Sequence, residues 1–96
     1  MPLPTFDTFS AQWRVAGYDE VLERRWAPGQ MVDTHTHPHP FAVQALVVEG
    51  ELWLTLNGET RHLRPGDSFE LKHSEPHAER YGASGAVYWA ARRHAA

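Results

Sequence analysis

The stretch Phe41-Ala42-Val43-Gln44-Ala45-Leu46-Val47-Val48-Glu49-Gly50-Glu51-Leu52-Trp53-Leu54-Thr55-Leu56-Asn57-Gly58 decides the fold. Phe41 to Val48 is an apolar run broken only by Gln44, which reads as a buried strand. Glu49-Gly50 is expected to turn the chain, and Glu51 to Leu56 reads as the next strand. Asn57-Gly58 then sits between two strand-like runs. Both central positions of a type I′ turn need positive φ, which makes this dipeptide a strong hairpin signal. Glu59 to Arg64 is the return strand.

The same punctuation continues outward in both directions. Pro65-Gly66 fits the central positions of a type II turn. Ser68 to Leu71 is a short strand, Pro76 opens another from His77 to Tyr81, Gly82 to Gly85 reads as a loop, and Ala86 to Arg92 as the last strand. Upstream, Tyr18 to Trp26 reads as a strand ended by Pro28-Gly29. Met31 to His37 is extended and runs into Pro38 and Pro40, which cannot donate to a ladder and mark a strand end. Only Phe9 to Val15 has a helical character. The sum is about eight short strands, the pattern of an all-β sandwich or barrel.

Composition sets the limits. The chain has 96 residues, with 42% hydrophobic and 22% charged and a formal net charge of −3. That supports a single domain, residues 1–96, with an ordinary globular balance. Acids and bases are interspersed, with no basic stripe to track a phosphate backbone, so nucleic acid is not an expected partner. No apolar run approaches the ~20 residues of a membrane-spanning helix, and the N-terminus lacks a signal-peptide pattern. A cytoplasmic protein is the resulting expectation. There is no cysteine. Disulfides, thiolate metal sites and thiol catalysis are therefore excluded, and any metal must be held by nitrogen and oxygen.

The chemistry concentrates at Asp33-Thr34-His35-Thr36-His37-Pro38-His39, three imidazoles within five residues. In an extended strand, positions i and i+2 share a face, so His35 and His37 can converge on one point. A third histidine from elsewhere would complete a facial set. Glu79 lies two residues after His77. In a regular strand the two share a face, and Tyr81 would follow them. An inward Glu79 could be a further ligand or a general base, or it could pair with an arginine such as Arg24, Arg25 or Arg80. Gln44 could reach in as a neutral ligand or orient a water, or it could be an outward polar residue. His39 reads as a rim residue, and His62, His73 and His94 as solvent-facing. Trp13, Trp26, Trp53, Trp89, Phe41, Phe69 and Tyr88 read as core or dimer contacts, with one or two available to an apolar pocket.

Two segments together resemble the motifs of the cupins. Gly29, five residues, His35-Thr36-His37 and an apolar strand ending in Gly50 resemble the first motif. Pro65-Gly66-Asp67, a short strand and Glu75-Pro76-His77 resemble the second. The resemblance covers roughly residues 18–93 and leaves an N-terminal arm, 1–17. It implies a jelly-roll barrel with one divalent transition metal (iron, zinc, nickel, manganese or copper), held by His35, His37 and His77 together with a family glutamate. Counting back from Gly50, that glutamate falls on Val43, with Gln44 one place off, so the carboxylate is missing there. Lys72 and Ser74 stand where the family usually has proline and glycine, and Tyr81 where it often has asparagine.

The resulting expectation is a metal-dependent, dioxygenase-like enzyme acting on a small organic molecule. A small-ligand sensor with a structural metal and a metal-independent isomerase or epimerase are the alternatives. The apolar arm from Leu3 to Trp13 is expected to pack on the barrel or on a partner subunit, making a homodimer.

Overall fold

A computed structural model describes residues 3–33, 41–72 and 76–94. One helix, α1 (Phe6–Val15), precedes six strands among the described residues. These are β1 (Glu20–Trp26), β2 (Met31–Asp33), β3 (Phe41–Leu56), β4 (Glu59–Leu63), β5 (Ser68–Leu71) and β6 (Ala78–His94). Every strand pairing is antiparallel. β6 pairs with β1, β2 and β3, and β3 pairs with β4, β5 and β6. Two long strands therefore carry the architecture, and the short ones attach to them.

The all-β expectation holds, with a difference in how the strands are cut. The expected turn at Glu49-Gly50 and the expected loop at Gly82 to Gly85 are both irregularities inside a single strand. Each joins two of the short strands read from the sequence, which is why β3 has 16 residues and β6 has 17. The β3–β6 register shifts between Val47 and Glu49 and again between Gly50 and Leu52. These are bulges, and they change which side chains face inward. Val43, Ala45 and Val47 are buried before the shift, and Leu52 and Leu54 after it. On β6, Glu79 and Tyr81 are buried before it, and Ala86, Tyr88 and Ala90 after it. In both strands the inward parity switches from odd to even, so each half faces the same core.

Glycine makes the switch sterically possible. Gly50 has φ +71°, and a Cβ there would lie 2.1 Å from the carbonyl oxygen of Gly85. A Cβ on Gly85, itself at φ +71°, would lie 2.3 Å from the carbonyl oxygen of Trp26. The backbones of β3 and β6, and the end of β1, thus meet at a point where no side chain fits.

The turns follow their sequence signals. Asn57 and Gly58 both have positive φ, at 51° and 80°. Gly66 has φ +97°, and the Asp67 amide donates to the Arg64 carbonyl at 2.9 Å across Pro65-Gly66. The N-terminal arm is a helix starting earlier than its sequence signal. Thr5 caps it by accepting from the Thr8 amide at 3.1 Å. Phe9 is buried, and Phe6 and Phe9 pack on Trp89 at centroid distances of 5.6 and 5.8 Å. The arm therefore lies on this chain's own β6.

The pinch yields a comparison between two glycines of similar backbone conformation. Gly29 has φ +69° with nothing within 4 Å of a Cβ position. Gly29→Ala is expected to show only the conformational cost of a left-handed alanine, about 1–2 kcal/mol. Gly50→Ala adds a backbone clash, so urea denaturation should show it to be clearly the more destabilising. Equal losses would mean that the Gly50–Gly85 approach is not the constraint described here.

Candidate functional site

The inward side chains at the start of β6 build the site. His77 precedes the strand, and Glu79 and Tyr81 follow at two-residue spacing. Among the described residues, His77 and Glu79 are the only buried polar or charged ones, at 4% and 5% exposure. His77 Nε2 lies 3.1 Å from Glu79 Oε2. Glu79 Oε1 accepts from the Tyr81 hydroxyl, and from the Tyr88 hydroxyl at 3.3 Å. One carboxylate oxygen is thus tied to two phenols while the other faces the imidazole. No arginine among the described residues forms an ion pair with Glu79, so its partners differ from the Arg24, Arg25 or Arg80 of the sequence alternative.

Burial without compensation would be costly for this carboxylate. The tyrosines offset that cost, and their own acidity responds. Burial is the largest cause that pushes the Tyr81 phenol far up, followed by the neighbouring Tyr88 and the Glu79 charge. Burial also raises Tyr88, with the Glu79 charge next. Both hydroxyls therefore remain neutral donors to Glu79 well above neutral pH.

His77 and Glu79 open into a cavity of about 140 Å³. Aromatic walls come from Trp26, Phe41, Phe69 and Tyr88, and Arg24 and Arg92 also line it. Trp26 stacks on Tyr81 at 5.1 Å and 17°. The Phe69 ring meets Tyr88 edge-on at 5.3 Å. These aromatics read from the sequence as core or dimer contacts, with one or two available to a pocket. Phe69 and Tyr88 belong to the core cluster and Trp26 and Phe41 pack against it, and all four also line the cavity.

His35 and His37 lie outside the described residues, as does His39. The flanks of their segment are described. β2 ends at Asp33, whose backbone pairs with Ala78, between His77 and Glu79. The described chain resumes at Phe41, in the cavity wall. Gln44 is not brought to the cavity. It stands opposite Glu70 on β5 and donates to that carboxylate, on the face of β3 away from Val43 and Ala45. Of its two sequence readings, the outward one matches this placement.

Among the described residues, no group of three or more His, Asp or Glu side chains forms a metal cluster. The pair that is described passes a simple donor test. Two ligand atoms each about 2.1 Å from an ion and at right angles to one another lie about 3.0 Å apart. The 3.1 Å between His77 Nε2 and Glu79 Oε2 suits adjacent positions on one metal. Nitrogen and carboxylate oxygen are also the donors a cysteine-free chain has to offer.

The sequence profile of the Cupin_2 family, described as "Cupin domain", matches residues 22–89. The chain belongs to this cupin family. Several known proteins are similar to it. An uncharacterized HTH-type transcriptional regulator from Haemophilus influenzae is 46% identical over 39 residues, which span 41% of this chain and 13% of that regulator. The crystal structure of a Cupin_2 domain of an XRE family transcriptional regulator from Enterobacter cloacae has a TM-score of 0.62 at 19% identity. It covers 81% of this chain and 100% of its own. A chain from the crystal structures of the DMSP lyases RdDddP and RnDddQII has a TM-score of 0.68 at 25% identity, covering 78% of this chain and 38% of its own. The jelly-roll class implied by the motifs is thereby shown.

The period-two run His77, Glu79, Tyr81 was legible as one face of a strand. Tyr88 and Arg92 were not, because the parity switch between Tyr81 and Ala86 hides which side of β6 faces in, and Arg24 on β1 is placed only by its pairing with Tyr88.

The two tyrosines generate a pH prediction. A phenol whose folded pKa is raised above the free value near 10 contributes stability that is fully present below pH ~10 and is lost as pH rises beyond it. In chelator-treated Tyr18→Phe protein, phenolate absorbance at 295 nm should appear only together with the loss of β-sheet circular dichroism. Phenolate formation in still-folded protein would show that Tyr81 and Tyr88 are not held as described.

Proposed function

We propose that this cupin is a metal-dependent catalytic centre acting on a small organic molecule, with His77, His35, His37 and Glu79 as metal ligands. The supporting observation is Glu79 itself. It is a buried carboxylate whose Oε1 is held by two tyrosines and whose Oε2 stands 3.1 Å from the imidazole of the motif histidine. It supplies from β6 the carboxylate that the first motif lacks at Val43.

In this reading the chain's own groups do most of the work. Tyr81 and Tyr88 fix the rotamer of Glu79 and keep Oε2 aimed toward His77, as supporting hydrogen bonds do at metal sites. The aromatic wall excludes water and receives the apolar part of the substrate. A divalent metal at this centre would polarise a bound oxygen and lower the pKa of bound water. The Arg24 and Arg92 side chains place positive charge around the same space. Dioxygen chemistry is one use of such a centre, and iron is the metal that would direct attention to it.

A second reading draws on the relatives. The regulator from Haemophilus influenzae and the regulator domain from Enterobacter cloacae favour a regulatory cupin, which we read as a small-ligand sensor, and in that reading the metal would be structural. Coordination separates the two readings, because a structural site is closed by protein ligands and a catalytic one keeps a position open. Cobalt-substituted protein with weak, six-coordinate visible bands supports the catalytic reading. An intense four-coordinate spectrum supports the structural one.

Elemental analysis tests the centre directly. Wild-type protein is expected to hold close to one equivalent of a divalent transition metal. His77→Ala and Glu79→Gln should each lose most of it, and Tyr88→Phe, which frees Glu79 from one of its hydrogen bonds, should lower affinity by about 10–100-fold. Affinity should also weaken as pH falls through about 6.5, where free imidazole protonates. Folded wild-type protein that takes up no iron, zinc, nickel, manganese or copper on titration would sink the proposal.

A further inference from the structure

The cavity wall has more positive charge than its one carboxylate can match. Arg24 and Arg92 both line it, and Glu79 is the carboxylate among its lining residues. The Glu79 oxygens already accept from Tyr81 and Tyr88 and face His77. Arg92 shares its charge with Glu20 at 3.4 Å, while Arg24 forms no ion pair with any described carboxylate. Each guanidinium is spread over an aromatic ring of the same wall. Arg24 lies 4.9 Å from the Trp26 centroid and Arg92 lies 4.3 Å from that of Phe41. Stacked guanidinium groups keep their in-plane N–H donors available at the edge.

A further donor is present. The buried Nε1 of Trp26 makes no hydrogen bond of normal geometry, although it lies near enough to Tyr88 to favour that residue's phenolate slightly. Buried donors without acceptors are uncommon, and a wall rich in unspent donors suits an acceptor-rich guest. The rest of the wall is apolar. Room for a guest arises where Ala45 and Ala90 pair across β3 and β6. Ala90 stands between Tyr88 and Arg92 on the inward face, and a larger residue there would fill the space.

We infer that the cavity binds a small monocarboxylate with an apolar body about the size of a benzene ring, its carboxylate received by Arg24 and Arg92. The size follows from the volume, because an apolar cavity of about 150 Å³ holds benzene and this one is about 140 Å³. The charge follows from the two guanidiniums, which recognise planar carboxylates through paired N–H donors. A phosphate monoester would use the same donors but would bring nearly two negative charges at neutral pH. The inference deepens the function proposed above by naming a substrate class for the same site, and it rests on that reading only for the claim that the bound acid reacts.

Benzoate and benzamide are suitable probes, nearly equal in shape and different in charge. Calorimetric titration of metal-loaded and chelator-treated protein should show benzoate binding at least tenfold more tightly than benzamide in both forms. The Trp26 indole N–H resonance should move on benzoate addition. Arg24→Met and Arg92→Met should each remove most of the benzoate preference, with β-sheet circular dichroism and the thermal unfolding midpoint close to wild type showing that the fold is intact. A preference that vanishes on chelation and survives both arginine substitutions would overturn the inference and leave the metal centre standing, with the metal holding the carboxylate. Equal binding of the two probes, or binding of neither, would also overturn it. A preference that depends on the arginines in a protein taking up no metal would uphold the inference and sink the metal proposal.

Discussion

Three backbones meet where β1 ends and where β3 and β6 change register, and the site depends on that contact. A Cβ at Gly50 would stand 2.1 Å from the Gly85 carbonyl oxygen, and one at Gly85 would stand 2.3 Å from that of Trp26. A regular antiparallel pair of 16 and 17 residues would keep one parity facing inward along its whole length. His77, Glu79 and Tyr81 would then share an inner face with odd-numbered residues beyond them, and Tyr88 and Arg92 would point outward. The paired irregularities reverse the parity in both strands together. That reversal puts the Tyr88 hydroxyl on Glu79, and it brings the guanidinium of Arg92 into the cavity that His77 lines.

Glu79 shows how the fold supports a buried charge. An ionised carboxylate in an apolar interior is unfavourable unless hydrogen-bond donors surround it. Its donors come from both halves of β6, from Tyr81 before the irregularity and Tyr88 after it. They fix one oxygen and leave the other toward His77. The tyrosines are suited to this task because burial and the adjacent charge raise their own pKa values, so they donate hydrogen bonds without competing to ionise. The arrangement orients a carboxylate toward the motif histidine without drawing on an arginine, which leaves Arg24 and Arg92 for other partners.

Much of this was legible in the chain. Turn chemistry at Asn57-Gly58 and Pro65-Gly66 is local, governed by φ, and the structure follows it. The face shared by His77 and Glu79 follows from a period of two over three residues. Ser68 to Leu71 was bounded correctly by its turn residues. The misreadings share one cause. Glycine marks a tight turn and a bulge equally well, and only the long-range partner decides between them. Gly50 reads as a turn until Gly85 is placed against it. With Gly82 to Gly85 taken as a loop, there was no basis for placing Tyr88 and Arg92 on the same side as Glu79. Gln44 illustrates the local limit as well. Its neighbours do not reveal that Glu70 stands across from it on β5.

Family membership narrows the architecture and leaves the chemistry open, since one fold hosts many functions. The solved structures reflect this, with a chain from the DMSP lyase structures and a regulator domain both similar to this fold at 25% and 19% identity. Features specific to this chain carry more weight. A first motif lacking its glutamate would leave three imidazoles and a more positive metal. In the proposed centre, a carboxylate two residues after the motif histidine would restore one negative donor, from β6 and not from the first-motif strand. A ligand carboxylate on β6 would also leave the β3 wall uncharged, where Val43 lines the cavity and Ala45 is buried behind it. The side of the cavity that would have held a charged ligand can then receive an apolar body, while the charged groups gather along β1 and β6. On this view the departure from the family's motif changes what the cavity can bind.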